Sequence, residues 1–287
     1  MTIPLTHSAT DALPDVLRDA LCDALCARLG VRSKPPGDAE LALVYAAWCR
    51  QIPFDNVRKL IALREQHAPP LPGAHAVDFF SHWLSDGTGG TCWSSSNALF
   101  TLLTALRFTA RRIAGSMRDT GIVTHGSVIV TVNDREWLVD SSALTNRPVP
   151  LGDAAYRDPD PVFPTEWQRE GATHVLRFAG APGPELTPCR FLVDPTDTAY
   201  VQHRAELSRT FGPFNHFTYA RRSVDDGFVV LRGPVRYHRT AHGMTSRTLD
   251  HGGILRVLQE DIGISTAMLD RYVACGALDL NFLPLPE

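Results

Sequence analysis

Leucine recurs at every fourth position from Leu13 through Leu17, Leu21 and Leu25 to Leu29, and Gly30 then stops the run. That spacing drifts slowly round one face of a helix. Lys34-Pro35-Pro36-Gly37 reads as a linker, after which Asp38 suits an N-cap. Leu41, Val44, Tyr45 and Trp48 share one face of a second helix that runs to Ile52-Pro53, and a third helix is predicted from His75 to Leu84. Three helices with short connections make a bundle that needs a partner surface. After Gly87 the pattern changes. Gly-Thr-Gly-Gly-Thr-Cys, residues 87 to 92, opens a helix whose apolar face carries Leu99, Leu102, Leu103 and Leu106. Alternating, β-branched positions follow over 127–132, with a turn at Asn133-Asp134 and a return strand at Trp137-Leu138-Val139. Further strands are predicted at Val175 to Phe178, Arg190 to Val193, Phe217 to Arg221 and Phe228 to Leu231, with Pro-rich loops over 147–170 and 179–188. A last helix, Ile254 to Glu260, ends at Gly263. Helices first and a mostly antiparallel sheet region afterwards predict an α+β protein with separate layers.

Composition narrows the function. The 287 residues are 44% hydrophobic and 21% charged, enough to bury a sizeable core, which excludes a disordered tail, a collagen-like fibre and a coiled coil. A net charge of −3 without a basic block gives no footprint for nucleic acid. No stretch approaches the ~18 apolar residues of a membrane span, and Met1 to Thr10 lacks the basic and apolar regions of a signal peptide. The expectation is a soluble, cytoplasmic protein with no membrane partner. Of the 28 basic residues only Lys34 and Lys59 are lysine, a bias that reads as codon usage in a GC-rich bacterial genome. Cys22, Cys26, Cys49, Cys92, Cys189 and Cys275 are scattered without a C-x-x-C pair, so neither a zinc site nor a disulfide framework is expected. His238, His242 and His251 are loosely spaced with no accompanying acid pattern, and no metal is expected there.

One cysteine stands in an unusual context. Cys92 follows a Gly-rich turn and begins a helix, where amide N–H groups and the helix dipole stabilise a thiolate. A small residue at a helix start would look the same. His125, however, immediately precedes the strand over 127–132, and Asp140 ends the next strand across the tight turn. In that register strand entry and strand exit lie side by side. Cysteine on a helix start, histidine on a strand and an acid to orient it make up a thiol nucleophile triad.

These residues belong to a longer series. Ile52-Pro53-Phe54-Asp55-Asn56, Gly89-Gly90-Thr91-Cys92-Trp93, Thr124-His125 and Leu138-Val139-Asp140 resemble the successive motifs of the arylamine N-acetyltransferases. The resemblance continues through Gly212-Pro213-Phe214-Asn215 and Leu231-Arg232-Gly233 to Val257-Leu258 and Ile262-Gly263-Ile264, spanning nearly the whole chain in order. It implies an N-terminal helical bundle (1–88), a central antiparallel β-barrel-like domain carrying the cysteine helix (89–195) and a C-terminal α/β lid (196–287), a cysteine-protease-type arrangement. It also implies Cys92, His125 and Asp140 as catalytic residues, and Phe54, Trp93, Thr124 and Phe214 as the substrate pocket.

The resemblance also implies ping-pong chemistry. No cofactor is held tightly; the acyl donor is a phosphopantetheine thioester, on coenzyme A or on an acyl carrier protein, which passes its acyl group to Cys92. The chain departs from the family pattern near that residue. Thr88 replaces the arginine before the two glycines, Ser94 and Ser96 replace an acid and an asparagine, and Ser141-Ser142-Ala143-Leu144 replaces a Gly-Phe-Gly-type turn. The serines suit helix-start capping, and the lost charges suit a bulky, apolar acyl chain. The departures therefore favour an assembly-line off-loading enzyme that closes a tetramate or pyridone ring by Dieckmann cyclisation. The alternatives are an acetyl-CoA-dependent arylamine N-acetyltransferase and a macrolactam-forming amide synthase.

Overall fold

The computed structural model describes residues 15–32, 34–180, 183 and 185–284, so Leu13 lies outside it. Helix α1 (Asp15–Leu29) ends at Gly30, which takes the left-handed conformation with φ +68°. In α2 (Asp38–Gln51) the N-cap is Gly37, so Asp38 is the first helical residue rather than the cap; with Glu40 it places negative charge at the positive end of the helix. Leu41, Val44, Tyr45 and Trp48 are all buried. A two-residue strand, β1 (Phe54–Asp55), leads into α3 (Val57–Arg64), a helix the apolar pattern did not predict. It is only eight residues long, and Arg58 and Lys59 break its pattern. Helix α4 (Ala76–Asp86) follows His75 and stops at left-handed Gly87, and α5 (Cys92–Ala105) follows the glycine turn.

The central sheet holds β2 (Thr109–Met117), β3 (His125–Val132), β4 (Arg135–Val139), β5 (Val149–Leu151), β6 (Tyr156–Asp158), β7 (Thr165–Glu170), β8 (Thr173–Ala179) and β9 (Leu186–Thr196). Its order is β5-β4-β3-β2-β9-β8-β7-β6, antiparallel throughout, and β6 returns beside β5 to give a nearly closed barrel. The predicted 147–170 loop therefore contains three strands, and the 179–188 loop contains the start of β9. Pro150 is tolerated because β5 is the last strand of the hydrogen-bonded order. Strand β2, with two arginines and a glycine inside it, lacked the alternation that marks a strand.

Beyond the barrel, α6 (Thr198–Leu207) is capped by Asp197, whose carboxylate accepts the Tyr200 N–H. A second antiparallel sheet has the order β1-β10-β11-β12-β13, with β10 (Tyr219–Val224), β11 (Gly227–Arg232), β12 (Val235–Thr240) and β13 (Gly243–Thr248). Helix α7 (His251–Arg256) continues as a π turn, Val257–Ile262, to left-handed Gly263, and α8 (Thr266–Ala274) follows, so the predicted last helix is not the last.

Three apolar clusters hold these parts together. Leu99, Leu102 and Leu103 of α5 join Val128, Val130 and Val132 of β3 and the buried faces of α2 and α4. Ile129, Leu138, Trp167 and Leu176 fill the barrel. Leu60, Val229, Leu258 and Tyr272 join the second sheet to α3, α7 and α8. No helix among the described residues is long and apolar enough to cross a membrane.

Candidate active site

The turn that carries Cys92 is held from below by the segment 52–56. Asp55 is 2% exposed; its Oδ2 accepts the Gly89 N–H at 2.6 Å and its Oδ1 the Val57 N–H at 3.0 Å. Phe54 bridges to Gly90, and the Asp55 N–H reaches the Gly90 carbonyl at 3.2 Å. A Cβ on Gly89 would lie 1.8 Å from the Pro53 carbonyl oxygen, so only glycine permits this approach. Asn56 is the second clamp. Its Nδ2 donates to the carbonyls of Phe214 and Phe217, both at 2.8 Å, and its Oδ1 accepts the Tyr219 N–H at 2.8 Å. Three motifs far apart in the chain are thus one hydrogen-bonded assembly. Burial pushes the Asp55 carboxyl up to about 6, against the lowering effect of the Gly89 and Val57 amides and of Arg58.

The histidine and the acid come from one hairpin. Asn133 and Asp134 both have positive φ, 49° and 60°, as a two-residue type I′ turn requires, and this fixes Val128 opposite Val139. Asp140 then falls across from Ser127, diagonally related to His125 on the same side of the ribbon. His125 Nε2 and Asp140 Oδ2 are 2.7 Å apart, with the two side chains 2% and 1% exposed. Opposite His125 on β2 stands Gly115, where a side chain would strike the Arg190 carbonyl and the Cys189 thiol. Asp140 Oδ1 accepts the Ser142 and Ala143 N–H groups at 2.9 and 2.8 Å, so the Ser-Ser-Ala-Leu turn cradles the acid with backbone alone.

Burial alone would lower the imidazole's proton affinity, but Asp140, with Cys189 and Cys92, outweighs it and holds His125 well above its usual value. Burial would raise Asp140, and His125 with the two amides holds it below the usual carboxylate range. Each member of the pair favours the charged form of the other.

Cys92 is half-buried at the first position of α5, with Thr91 as N-cap. Its thiol approaches the carbonyl of Thr124, the residue before His125, at 3.4 Å, and it lies near enough to His125 to help raise the imidazole's proton affinity. With Nε2 committed to Asp140, the other ring nitrogen is left for the thiol. Cys92, His125 and Asp140 are therefore in one chain of contacts: a thiol at a helix start, a base beside it and a buried acid that fixes the base. The remaining five cysteines are also free thiols.

Phe54 and Phe214 meet edge to face with ring centroids 5.5 Å apart, and Tyr219 completes the aromatic cluster. Trp93 is 3% exposed and packs with Ala114, Val201 and Ala205, under Tyr200. Thr124 receives the Met117 N–H on its hydroxyl and presents its carbonyl to Cys92. Ser94 and Ser95 do not cap α5; their hydroxyls donate back to the Thr91 carbonyl at 3.0 and 2.9 Å, and Ser96 donates to the Trp93 carbonyl. Nor does their small size open a chamber. Gly73 and Gly90 close on Ser94, leaving a cavity of ≈ 20 Å³ lined also by Lys59 and Thr91. Thr88 is fully buried, and its hydroxyl has no partner.

Tyr45 went unrecognised as part of the site. Its hydroxyl donates to the Asp140 carbonyl at 2.8 Å and accepts the N–H groups of Asp140 and Thr145. On the sequence it is one more apolar position of α2. Among the described residues no group of three His, Cys, Asp or Glu side chains is gathered as a metal site.

A family model for N-acetyltransferase matches residues 39–270. The chain belongs to the arylamine N-acetyltransferase family. As a member it is an acyltransferase. Solved N-acetyltransferases share the fold over almost their whole length. The arylamine N-acetyltransferase of Mycobacterium abscessus has a TM-score of 0.76 at 19% identity, covering 93% of this chain and 97% of its own. The Mycobacterium marinum enzyme in complex with CoA has a TM-score of 0.77 at 18% identity, covering 91% and 97%. A Bacillus cereus N-acetyltransferase described as having a Cys-His-Glu catalytic triad has a TM-score of 0.69 at 16% identity, covering 85% and 98%. No curated protein matches in sequence.

Proposed function

We propose that the chain transfers an acyl group from a phosphopantetheine thioester to an amine through Cys92, with His125 carrying the proton and Asp140 orienting His125. The observation that carries this reading is geometric: the Cys92 thiol at the start of α5 lies 3.4 Å from the carbonyl of Thr124, the residue before His125, and the buried His125 imidazole lies 2.7 Å from Asp140. The Cys92 thiolate attacks the thioester carbonyl, the donor's C–S bond breaks, and His125 gives its proton to the departing pantetheine thiol. The amine then attacks the Cys92 thioester. His125 takes its proton, the C–S bond to Cys92 breaks and the thiolate returns. Coenzyme A is the first donor to test, because a structural neighbour binds it; a carrier protein would present the same arm.

Dieckmann off-loading of a tethered polyketide is the second reading. It is favoured by the uncharged Thr88 and Ser94 beside the nucleophile. The ≈ 20 Å³ beside Ser94 holds about one water and no acyl chain, so a bulky chain would have to lie elsewhere, on the aromatic Phe54–Phe214 side. In that reading His125 takes a proton from the activated methylene, the carbanion attacks the Cys92 thioester carbonyl, the C–S bond to Cys92 breaks as the ring closes, and the thiolate returns beside the protonated His125.

Intact-protein mass after mixing with acetyl-CoA decides between them, with Cys92→Ala as control. A Cys92-dependent acetyl adduct discharged by an arylamine supports amine transfer. No acetyl adduct, but a cyclic product from a β-ketoacyl pantetheine thioester, supports off-loading. Turnover of either donor by Cys92→Ala would sink the covalent mechanism.

A further inference from the structure

In a chain with only two lysines among 28 basic residues, one of them, Lys59, is buried beside the nucleophile's helix. It is 7% exposed. Its ammonium donates to the Ser208 carbonyl at 2.8 Å and to the Ser208 hydroxyl at 3.1 Å rather than to a carboxylate. It lines the small cavity with Gly90, Thr91 and Ser94, the residues on either side of Cys92, and with Ala205, which also packs in the cluster that Cys92 touches. The neighbouring cation in that cavity, Arg58, is neutralised by a two-pronged contact with Asp78 at 2.8 Å. Lys59 is thus a fixed, buried cation, and both of its hydrogen bonds are to uncharged oxygens.

We propose that Lys59 is a positioning residue for the Cys92 chemistry, its buried ammonium stabilising the thiolate at the start of α5 where Thr88 supplies no charge. The inference rests on Cys92 being the nucleophile. A charge at this depth is screened far less than one at the surface, so its effect on a neighbouring anion persists at working salt. The groups facing it are consistent with that role. Burial lowers Lys59 to about 8, Cys92 and Glu206 push it up, Arg209 pushes it down, and Asp55 and Arg58 share the cavity. At neutral pH Lys59 is therefore still the cation.

The test is the rate of Cys92 alkylation by iodoacetamide against pH, read by peptide mass spectrometry on the full chain. In Lys59→Met the rate at pH 7 should fall about three- to tenfold and the profile move to higher pH, with the high-pH plateau unchanged. Lys59→Gln, which keeps a donor for Ser208 while losing the charge, should behave alike and covers the case in which the methionine variant does not fold. Lys59→Arg, which restores the charge, should recover most of the rate. A Lys59→Gln profile that superimposes on the wild type overturns the proposal. Cys92 alkylating no faster than Cys22 or Cys275 in the wild type would instead overturn the nucleophile reading beneath it.

Discussion

Replacing Tyr45 with phenylalanine isolates a hydroxyl that solvent does not reach. Tyr45 is fully buried, and burial pushes its phenol well up, so it remains a donor throughout the working pH range. The hydroxyl donates to the Asp140 carbonyl at 2.8 Å, accepts the N–H groups of Asp140 and Thr145, each at 3.2 Å, and sits 3.0 Å from the Thr145 hydroxyl. Phenylalanine fills the same space, so no cavity arises. What remains is two buried N–H groups without an acceptor and one carbonyl with a donor fewer. Each unsatisfied buried group costs about 1–3 kcal/mol. The two amide contacts are long, and the Asp140 carbonyl keeps the Leu144 N–H at 3.1 Å, which places the total near the low end, about 3 kcal/mol. For a chain of this size that lowers the melting temperature by roughly 6–12 °C in a thermal unfolding scan. Alkylation of Cys92 should slow as well, because the turn that aims Asp140 at His125 loosens. A melting temperature within about 2 °C of the wild type, with unchanged Cys92 reactivity, would refute the account of Tyr45 as the anchor of the acid.

Asp140→Asn should keep the fold, since one amide oxygen can still accept the Ser142 and Ala143 N–H groups. Its NH₂ would donate to His125 Nε2 and force the ring proton towards Cys92, lowering single-turnover acyl transfer by about 10³–10⁴. Three groups set the pH dependence of stability. Asp55, raised from 3.8 to about 6, costs about 3 kcal/mol as pH rises through that interval. Denaturant titrations between pH 4 and 6 should therefore show Asp55→Asn gaining on the wild type, although it is less stable at pH 4 because asparagine can accept from only one of Gly89 and Val57. Parallel curves would remove the assignment. Asp140 is held low, so its contribution is present above the ordinary carboxylate value and is lost as pH falls through its folded value; His125 is held high, so its contribution is full below about 6.5 and lost as pH rises through its own. Gly89→Ala should yield insoluble or unfolded protein by circular dichroism, because its Cβ would meet the Pro53 carbonyl at 1.8 Å.

The parts of this molecule that could be read from the chain were local and repetitive. The leucines of α1 and α5 and the face of α2 follow helical spacing, and the Asn133-Asp134 turn sets a register that brings His125 to Asp140 by strand geometry alone. Helices followed by strands predicted the α+β class, and the order of the motifs added the family. What escaped had no periodic signal. Strand β12 is half-exposed and β13 almost wholly exposed, and they carry arginine, histidine and threonine where alternation would need apolar residues. Strands β5 to β7 lie among prolines, which an edge position tolerates.

The surroundings of Cys92 depended on contacts between residues far apart in sequence. Whether the serines after Cys92 made room for a substrate turned on how closely Gly73 and Gly90 approach Ser94. Tyr45 reaches Asp140 across 95 positions, Lys59 reaches Ser208 across 149, and Asn56 reaches Phe214 across 158. Spacing along a chain encodes which side of one element a residue occupies, whereas burial, charge neutralisation and hydrogen-bond satisfaction depend on which elements pack together. That Cys92, His125 and Asp140 would be brought together was therefore legible in the sequence, and the groups that pack around them became visible only in the fold.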